Sequence, residues 1–413
     1  MDFSAKDRDI IRRLASRYME YACLSVQREK MEWWKALNRG KPVRPMIAID
    51  QLPLNELNAQ GELDCLCEDG FCRMLEAPLR LAVYKWEHFP ADMVLEPFIT
   101  VPKNIRCSGY SIGADETTLA TDEANGVVSH KYKNLIKTFD DISKIKDVHY
   151  EHDEETSRLW LDGAAALLDG IAPVRQSGGV QFHLGVWDTL STLMGVDQIY
   201  YDILDRPDFI HAVMERITSA LLNGIEEADR LGLCDDTANT CHCSYCYTDE
   251  LLPDFGAGKG PRAQNAWAFG MAQLFTSVSP AVTAEFEIPY ISRMAERFGM
   301  LYYGCCDRLD DRLDLVKQIP HLKKVSCSPW SDREKFAEAI GPGLVMSVKP
   351  NPALLAMDTF DPVAVKKDLD AALDAAKRNN VCIEFILKDI STVRYEPQRL
   401  TRWAEIALRA AES

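Results

Sequence analysis

The chain has 413 residues, enough for one large α/β barrel with added segments or for two ordinary domains. Hydrophobic residues make up 47% and charged residues 27%, which supports a large core and excludes general disorder. The 63 acidic residues outweigh 47 Lys and Arg for a formal charge of −16, which argues against non-specific binding to a nucleic-acid backbone, a local basic cleft aside, and favours a small-molecule enzyme.

The first residues, MDFSAKDRDIIRRLASRYMEY, are amphipathic and charged, with no signal-peptide pattern. No apolar run is long enough to span a membrane. With thirteen cysteines, an odd number, a reducing cytoplasmic setting with free or metal-bound thiols is expected.

Residues 1–43 read as a helical extension, stopped at Gly40 and Pro42. A first strand is expected over Arg44–Asp50. Cys65, Cys67 and Cys72 precede a helix, and Asp92–Pro102 has strand character. The polar, alternating stretch 107–153 predicts a hairpin inserted into the main fold. From Glu154 a helix leads to the strand Gly179–Val186, then to long amphipathic helices divided at Arg206–Pro207. After a Cys-rich loop come the helix Glu285–Gly299 and the strand Met300–Cys306. The strands Lys323–Pro329, Leu344–Pro350 and Val381–Leu387 follow, each separated by a helix, with a terminal helix over Pro397–Ala411. Repeated strand–helix alternation predicts a parallel sheet with crossover helices. Neither GxGxxG nor GxxxxGK[ST] stands where a nucleotide-binding fold needs it.

In parallel α/β folds, functional groups gather at the C-terminal ends of strands. Those ends carry Asp50, His183 with Trp187 and Asp188, Cys305–Cys306–Asp307, Cys327, Lys349, and Lys388–Asp389. The adjacent thiols of YYGCCD are the most specific feature, although one of the two would suit the core. CHCSYC, Cys241–Cys246, offers three thiols and an imidazole, either as metal ligands or as unliganded loop thiols. His183 is a substrate contact or an interior histidine. Lys349 and Lys388 hold a substrate anion or pair with Asp389 or Asp307. Glu285 and Glu287 stand at a loop-to-helix transition, as metal ligand or helix cap.

Three passages carry a family likeness: Gly185–Thr218, Ser277–Asp307 and Cys382–Ile406. They resemble the uroporphyrinogen decarboxylase and cobalamin-dependent methyltransferase superfamily. The resemblance implies a TIM (β/α)8 barrel over residues 44–413. In methyltransferase members the strand now ending Tyr303–Gly304–Cys305–Cys306 ends His-x-Cys-Gly, whose His and Cys bind zinc. Here Cys305 matches the cysteine and Tyr303 replaces the histidine. The resemblance therefore implies Zn²⁺ held by Cys305 and Cys306 with Glu285 or Cys382; Asp389 is the other group near the last strand. Asp50, His183, Lys388 and Asp389 become candidate catalytic residues, with Lys349, Trp187 and Trp267 around the substrate. The implied reaction is zinc-assisted methyl transfer from a small methoxylated donor, aromatic ethers among the candidates, to a corrinoid carried by a partner protein. A homodimer is also expected.

Decarboxylase members carry Met-Arg-Gln-Ala-Gly-Arg after the first strand, whose arginines hold the substrate carboxylates. Pro45–Asn55 lacks both arginines, so a porphyrinogen polycarboxylate would be left unpaired. Two other readings remain: a metal-independent lyase using Asp50 and Lys388 on a small carboxylate, and a non-catalytic barrel holding a tetrapyrrole or metal at CHCSYC.

Overall fold

The computed structural model describes residues 1–120, 128–235, 239–251 and 261–413. Seven parallel strands form its central sheet: β1 (Met46–Ile49), β2 (Phe182–His183), β3 (Trp267–Gly270), β4 (Met300–Tyr303), β5 (Leu322–Cys327), β6 (Val345–Val348) and β7 (Cys382–Leu387). Their order is β1-β7-β6-β5-β4-β3-β2, and helices pack against it in one large core. Every residue of β1, β4 and β6 is buried, which is why β1 (MIAI) reads as an apolar run rather than an alternating one and β6 (VMSV) is broken only by Ser347.

The sheet curls into a half-barrel, and the expected closed eight-stranded barrel is corrected to this open form among the described residues. The segment Asp92–Pro102 supplies no eighth rung. Its one short strand, Ile99–Val101, pairs instead with Val174–Gln176 in a separate two-stranded sheet. The edge of β1 is met by Asp92, whose N–H donates to the Ile47 carbonyl and whose carboxylate accepts from the Ile47 N–H and from Arg44. On the other side, residues 233–235 run parallel to Val180 just before β2. The open side between these edges is the seam of the half-barrel.

Helices Ala5–Ala22 and Ser25–Asn38 precede β1. The first packs Ile10, Ile11 and Ala15 on helix Gly70–His88 through Phe71, Cys72 and Leu75. In the stretch predicted to form a hairpin, Asn104–Cys107 pairs with Tyr150–Asp153 and Glu116–Ala120 with Val128–Tyr132, both antiparallel; residues 121–127 lie outside the described residues. The long helix Pro207–Leu231 starts on its proline and stops at Gly232, which has φ +64°, so Pro and Gly act here as start and stop. The predicted helix Glu285–Gly299 is instead two, Pro280–Phe286 and Ile288–Ala295, broken at Glu287 two residues before Pro289. No helix among the described residues is long and apolar enough to cross a membrane.

Candidate functional site

Interior positions of β4–β7 carry an unusual amount of polarity: Tyr302, Lys324, Ser326, Ser347 and Glu384, all fully buried. Lys324 and Glu384 pair at 2.7 Å with both side chains wholly excluded from water. Such a pair survives only if its remaining hydrogen-bonding capacity is met. CHCSYC meets it. Thr240–Cys241 and Ser244–Tyr245 form a small antiparallel hairpin, and Ser244 Oγ lies 2.6 Å from Lys324 Nζ and 2.9 Å from Glu384 Oε2. The Tyr245 carbonyl accepts from Lys324 at 3.1 Å. Asn38 Nδ2 donates to the carbonyls of Tyr245 and Tyr247, so the second helix holds the hairpin from outside.

The two turn residues, His242 and Cys243, have φ of +46° and +68°. Glycine or asparagine is the usual occupant of such a two-residue turn, and other residues there are strained. The turn delivers His242 to the interior, where its ring stacks on Phe269 (centroids 3.7 Å apart, planes 9° apart) and meets the edge of Tyr302. Burial, with Lys349, Lys388 and His183 nearby, holds the imidazole pKa far below its ordinary value. The ring is neutral, and its Nε2 accepts from Lys388 at 3.3 Å.

Lys388 directly follows β7 and is 2% exposed. Its ammonium touches three groups: His242 Nε2, Cys305 Sγ at 3.2 Å and Asp389 Oδ2 at 3.2 Å. Burial works against this charge, but Cys305, Asp389 and Cys306 outweigh it and raise the Lys388 pKa. Cys305 is placed by the turn after β4. Gly304 has φ +89°, and a Cβ there would come within 2.6 Å of Leu309. The Cys305 N–H donates to Asp307 Oδ1 at 2.6 Å, and its carbonyl accepts from Ser326 Oγ at 2.7 Å. Cys306 Sγ lies 3.6 Å from Cys305 Sγ and donates to Asp389 Oδ2 at 3.0 Å. The Cys306 thiol and the Lys388 ammonium together overcome burial and bring the Cys305 pKa down to about 7. Cys306, beside that thiolate and Asp389, is held above its ordinary value.

Lys349, fully buried after β6, donates to Tyr302 Oη and to Ser347 Oγ, the latter at 2.9 Å. It has no carboxylate partner within ion-pair distance among the described residues. Burial lowers its pKa to about 8.

The structure therefore brings together Cys305, Cys306, Lys388 and Asp389 from the predicted residues, with Asp50 and Lys349 at the margin. Asp50 faces Lys85 at 3.5 Å, and its charge is felt by Cys243. His183 and Trp267 line a cavity of about 590 Å³ together with His242, Cys241, Phe269, Asn239 and Arg175. Cys305 packs in one apolar cluster with Phe269 and Tyr302, with Trp267 and Met271 against it. Trp267 Nε1 is buried without a partner among the described residues.

Three predicted residues lie elsewhere. Trp187 is fully buried against Phe275 at 4.8 Å and does not line this cavity. Glu285 is exposed on an outer helix, 3.5 Å from His211. Cys382 opens β7, about 20 Å of extended strand from Lys388. Tyr303, at the position of the family's histidine, turns its hydroxyl to buried Glu287 at 2.9 Å. Sequence reasoning named Asp307 at a strand end and the His242 imidazole only as part of CHCSYC, and did not select Tyr302 or Ser244. The signals were a lone polar residue in an apolar strand and an imidazole inside a Cys-rich turn.

The donors present do not fit zinc. A four-ligand site needs donors converging on one point about 2.0–2.3 Å away. Here that point between Cys305, His242 and Asp389 is held by the Lys388 ammonium. Among the described residues no group of three or more His, Cys, Asp or Glu side chains is arranged to hold a metal ion.

The chain matches no protein-family model and no curated protein. Among solved structures it is similar to a methyltransferase from Methanosarcina mazei, with a TM-score of 0.50 and 12% identity over 92% of this chain and 98% of that one. At that identity the likeness establishes a shared fold over nearly the full length of both.

Proposed function

We propose that this chain is a methyltransferase that moves a methyl group from a small methoxylated aromatic donor to a corrinoid presented by a separate protein. The observation that carries this reading is the Cys305 sulfur held by Lys388 at the strand ends, beside a neutral imidazole and an aromatic-walled cavity. Methyl transfer needs a nucleophile or a stabilised leaving group in a place from which water is excluded. The buried thiolate–ammonium pair supplies both charges. A shared fold with a protein named as a methyltransferase supports the same reading. The cavity of about 590 Å³ suits one aromatic ring with its substituents, with Trp267 and Phe269 as walls and His183 and Asn239 as polar contacts. A corrin macrocycle would approach from outside on its carrier. Zinc is not part of this reading, because the donor set does not fit it.

The test is to incubate the protein with methoxybenzoates and free cob(I)alamin. Loss of the cobalt(I) absorbance with release of the matching hydroxybenzoate is expected, and both should vanish in Cys305→Ser. No demethylation across a panel of methoxylated aromatics would overturn the reading.

One observation favours a second reading. Lys349 is a buried cation without a carboxylate partner among the described residues, as a site for a substrate carboxylate would be. A metal-independent lyase acting on a small carboxylate would then show chelator-insensitive CO₂ release that Lys349→Met abolishes.

A further inference from the structure

A cation at the junction of a thiol, an imidazole and a carboxylate is ordinarily a metal ion; in this chain it is an amino group of the protein. Lys388 Nζ lies 3.2 Å from Cys305 Sγ, 3.3 Å from His242 Nε2 and 3.2 Å from Asp389 Oδ2. All three contacts are at hydrogen-bond length, and Lys388 is itself 2% exposed. A divalent ion entering between the same donors would sit against a buried ammonium with nowhere nearby to discharge it. The remaining donors also point away from metal binding: Cys306 bonds to Asp389, and Tyr303 faces Glu287.

We infer that the Lys388 ammonium takes the place of a metal ion, and that Cys305 is a metal-independent thiolate which itself accepts the methyl group. This rests on the methyltransferase reading and names the first acceptor within it. The step balances without an added oxidant or reductant. The Cys305 sulfur lone pair forms an S–C bond to the methyl carbon of an aryl methyl ether. The C–O bond breaks with its electron pair left on the aryl oxygen, and Lys388 gives that oxygen its proton. The products are S-methyl Cys305, a phenol and a neutral Lys388 amine. Phe269 and Trp267 both line the cavity and pack in the same cluster as Cys305, so an aromatic ring held between them rests on the side chains that contact the sulfur. His242 accepts from the Lys388 N–H, and so fixes where the ammonium points.

The experiment uses the full chain, purified anaerobically without chelator, as wild type, Lys388→Met and Lys388→Arg. Each is assayed for bound zinc and treated with limiting trideuteromethyl iodide, and the label is located by peptide mass spectrometry. Exposed Cys23, Cys65 and Cys107 serve as internal references. Wild type should hold no stoichiometric zinc and label at Cys305 about tenfold faster than at Cys23. Lys388→Met should lose that advantage while Cys23 labelling stays constant, and Lys388→Arg should keep part of it. Stoichiometric zinc in wild type that shields Cys305, or Cys305 labelling no faster than Cys23, would overturn the inference. Fast labelling of Cys305 together with no demethylation of any methoxylated aromatic would leave this thiolate standing and remove the methyltransferase reading instead.

Discussion

Cys305 and Lys388 come from strands that are three places apart in the sheet, yet their sulfur and nitrogen lie 3.2 Å apart. The contact is possible because the curled sheet turns both strand ends toward one interior. It determines the protonation of the thiol: with the Cys306 thiol and Lys388 beside it, Cys305 is brought to about 7. The rate of Cys305 alkylation by iodoacetamide should therefore rise with pH and level off above about 7. In Lys388→Met the inflection should move up by roughly one to two units, because the neighbouring positive charge is gone. Peptide-resolved labelling between pH 5 and 10 checks this; an unmoved inflection would show that Lys388 does not set it.

Glu287 offers a test of stability against pH. Burial raises its pKa to about 8 against an ordinary 4.5. Between those values the folded chain keeps a proton that the unfolded chain has lost, so stability falls as pH rises through the window. Glu287→Gln keeps an acceptor for Tyr303 and has no proton to lose. The variant should match wild type near pH 4 and exceed it by on the order of 2–4 kcal/mol at pH 8. Denaturant melts at the two pH values measure the difference.

The Lys324–Glu384 pair predicts a pattern of coupling. Removing one partner, as in Lys324→Met or Glu384→Gln, should cost about 3–5 kcal/mol because a charge or its acceptors are left buried and unmet. The double variant should cost less than the sum of the singles. Because Ser244 bonds to both partners, each single variant should also loosen the hairpin. Amide exchange at Cys241–Tyr245 reads this out.

Cys243 sits in the turn at φ +68°. Glycine takes that conformation freely, whereas a β-branched side chain resists it. Cys243→Gly should be neutral or stabilising by up to about 1 kcal/mol, and Cys243→Val should destabilise by about 1–2 kcal/mol. The opposite ranking in thermal melts would mean that packing, not backbone conformation, decides this position.

How much of this was legible in the sequence depends on what kind of signal each residue leaves. The later strands were readable because burial on both faces makes them apolar runs, and Cys305 and Lys388 were found because strand ends are where chemistry collects. Strand Trp267–Gly270 was not found: WAFG is four residues long and follows the Gly- and Pro-rich sequence PDFGAGKGP. Closure was misjudged because strand–helix alternation specifies parallel pairing and says nothing of whether the last edge meets the first. His242 belonged to a motif that reads equally as metal ligands or as a bare loop. Only the fold shows that it points at a lysine just after a strand, 146 residues later.

The seam in the barrel has a consequence for movement. A loop that brings a reactive imbalance of charge into an active site is normally the most mobile part of it, free to open and admit ligand. Here the loop carrying His242 is riveted through Ser244 to an ion pair in the dry centre of the protein. It cannot swing aside without stripping that pair of a partner, so its opening free energy is tied to that of the core. On the proposed methyltransferase reading, substrate passes by the rim of the cavity, and turnover should be insensitive to the viscosity-dependent loop motions that limit many lidded enzymes.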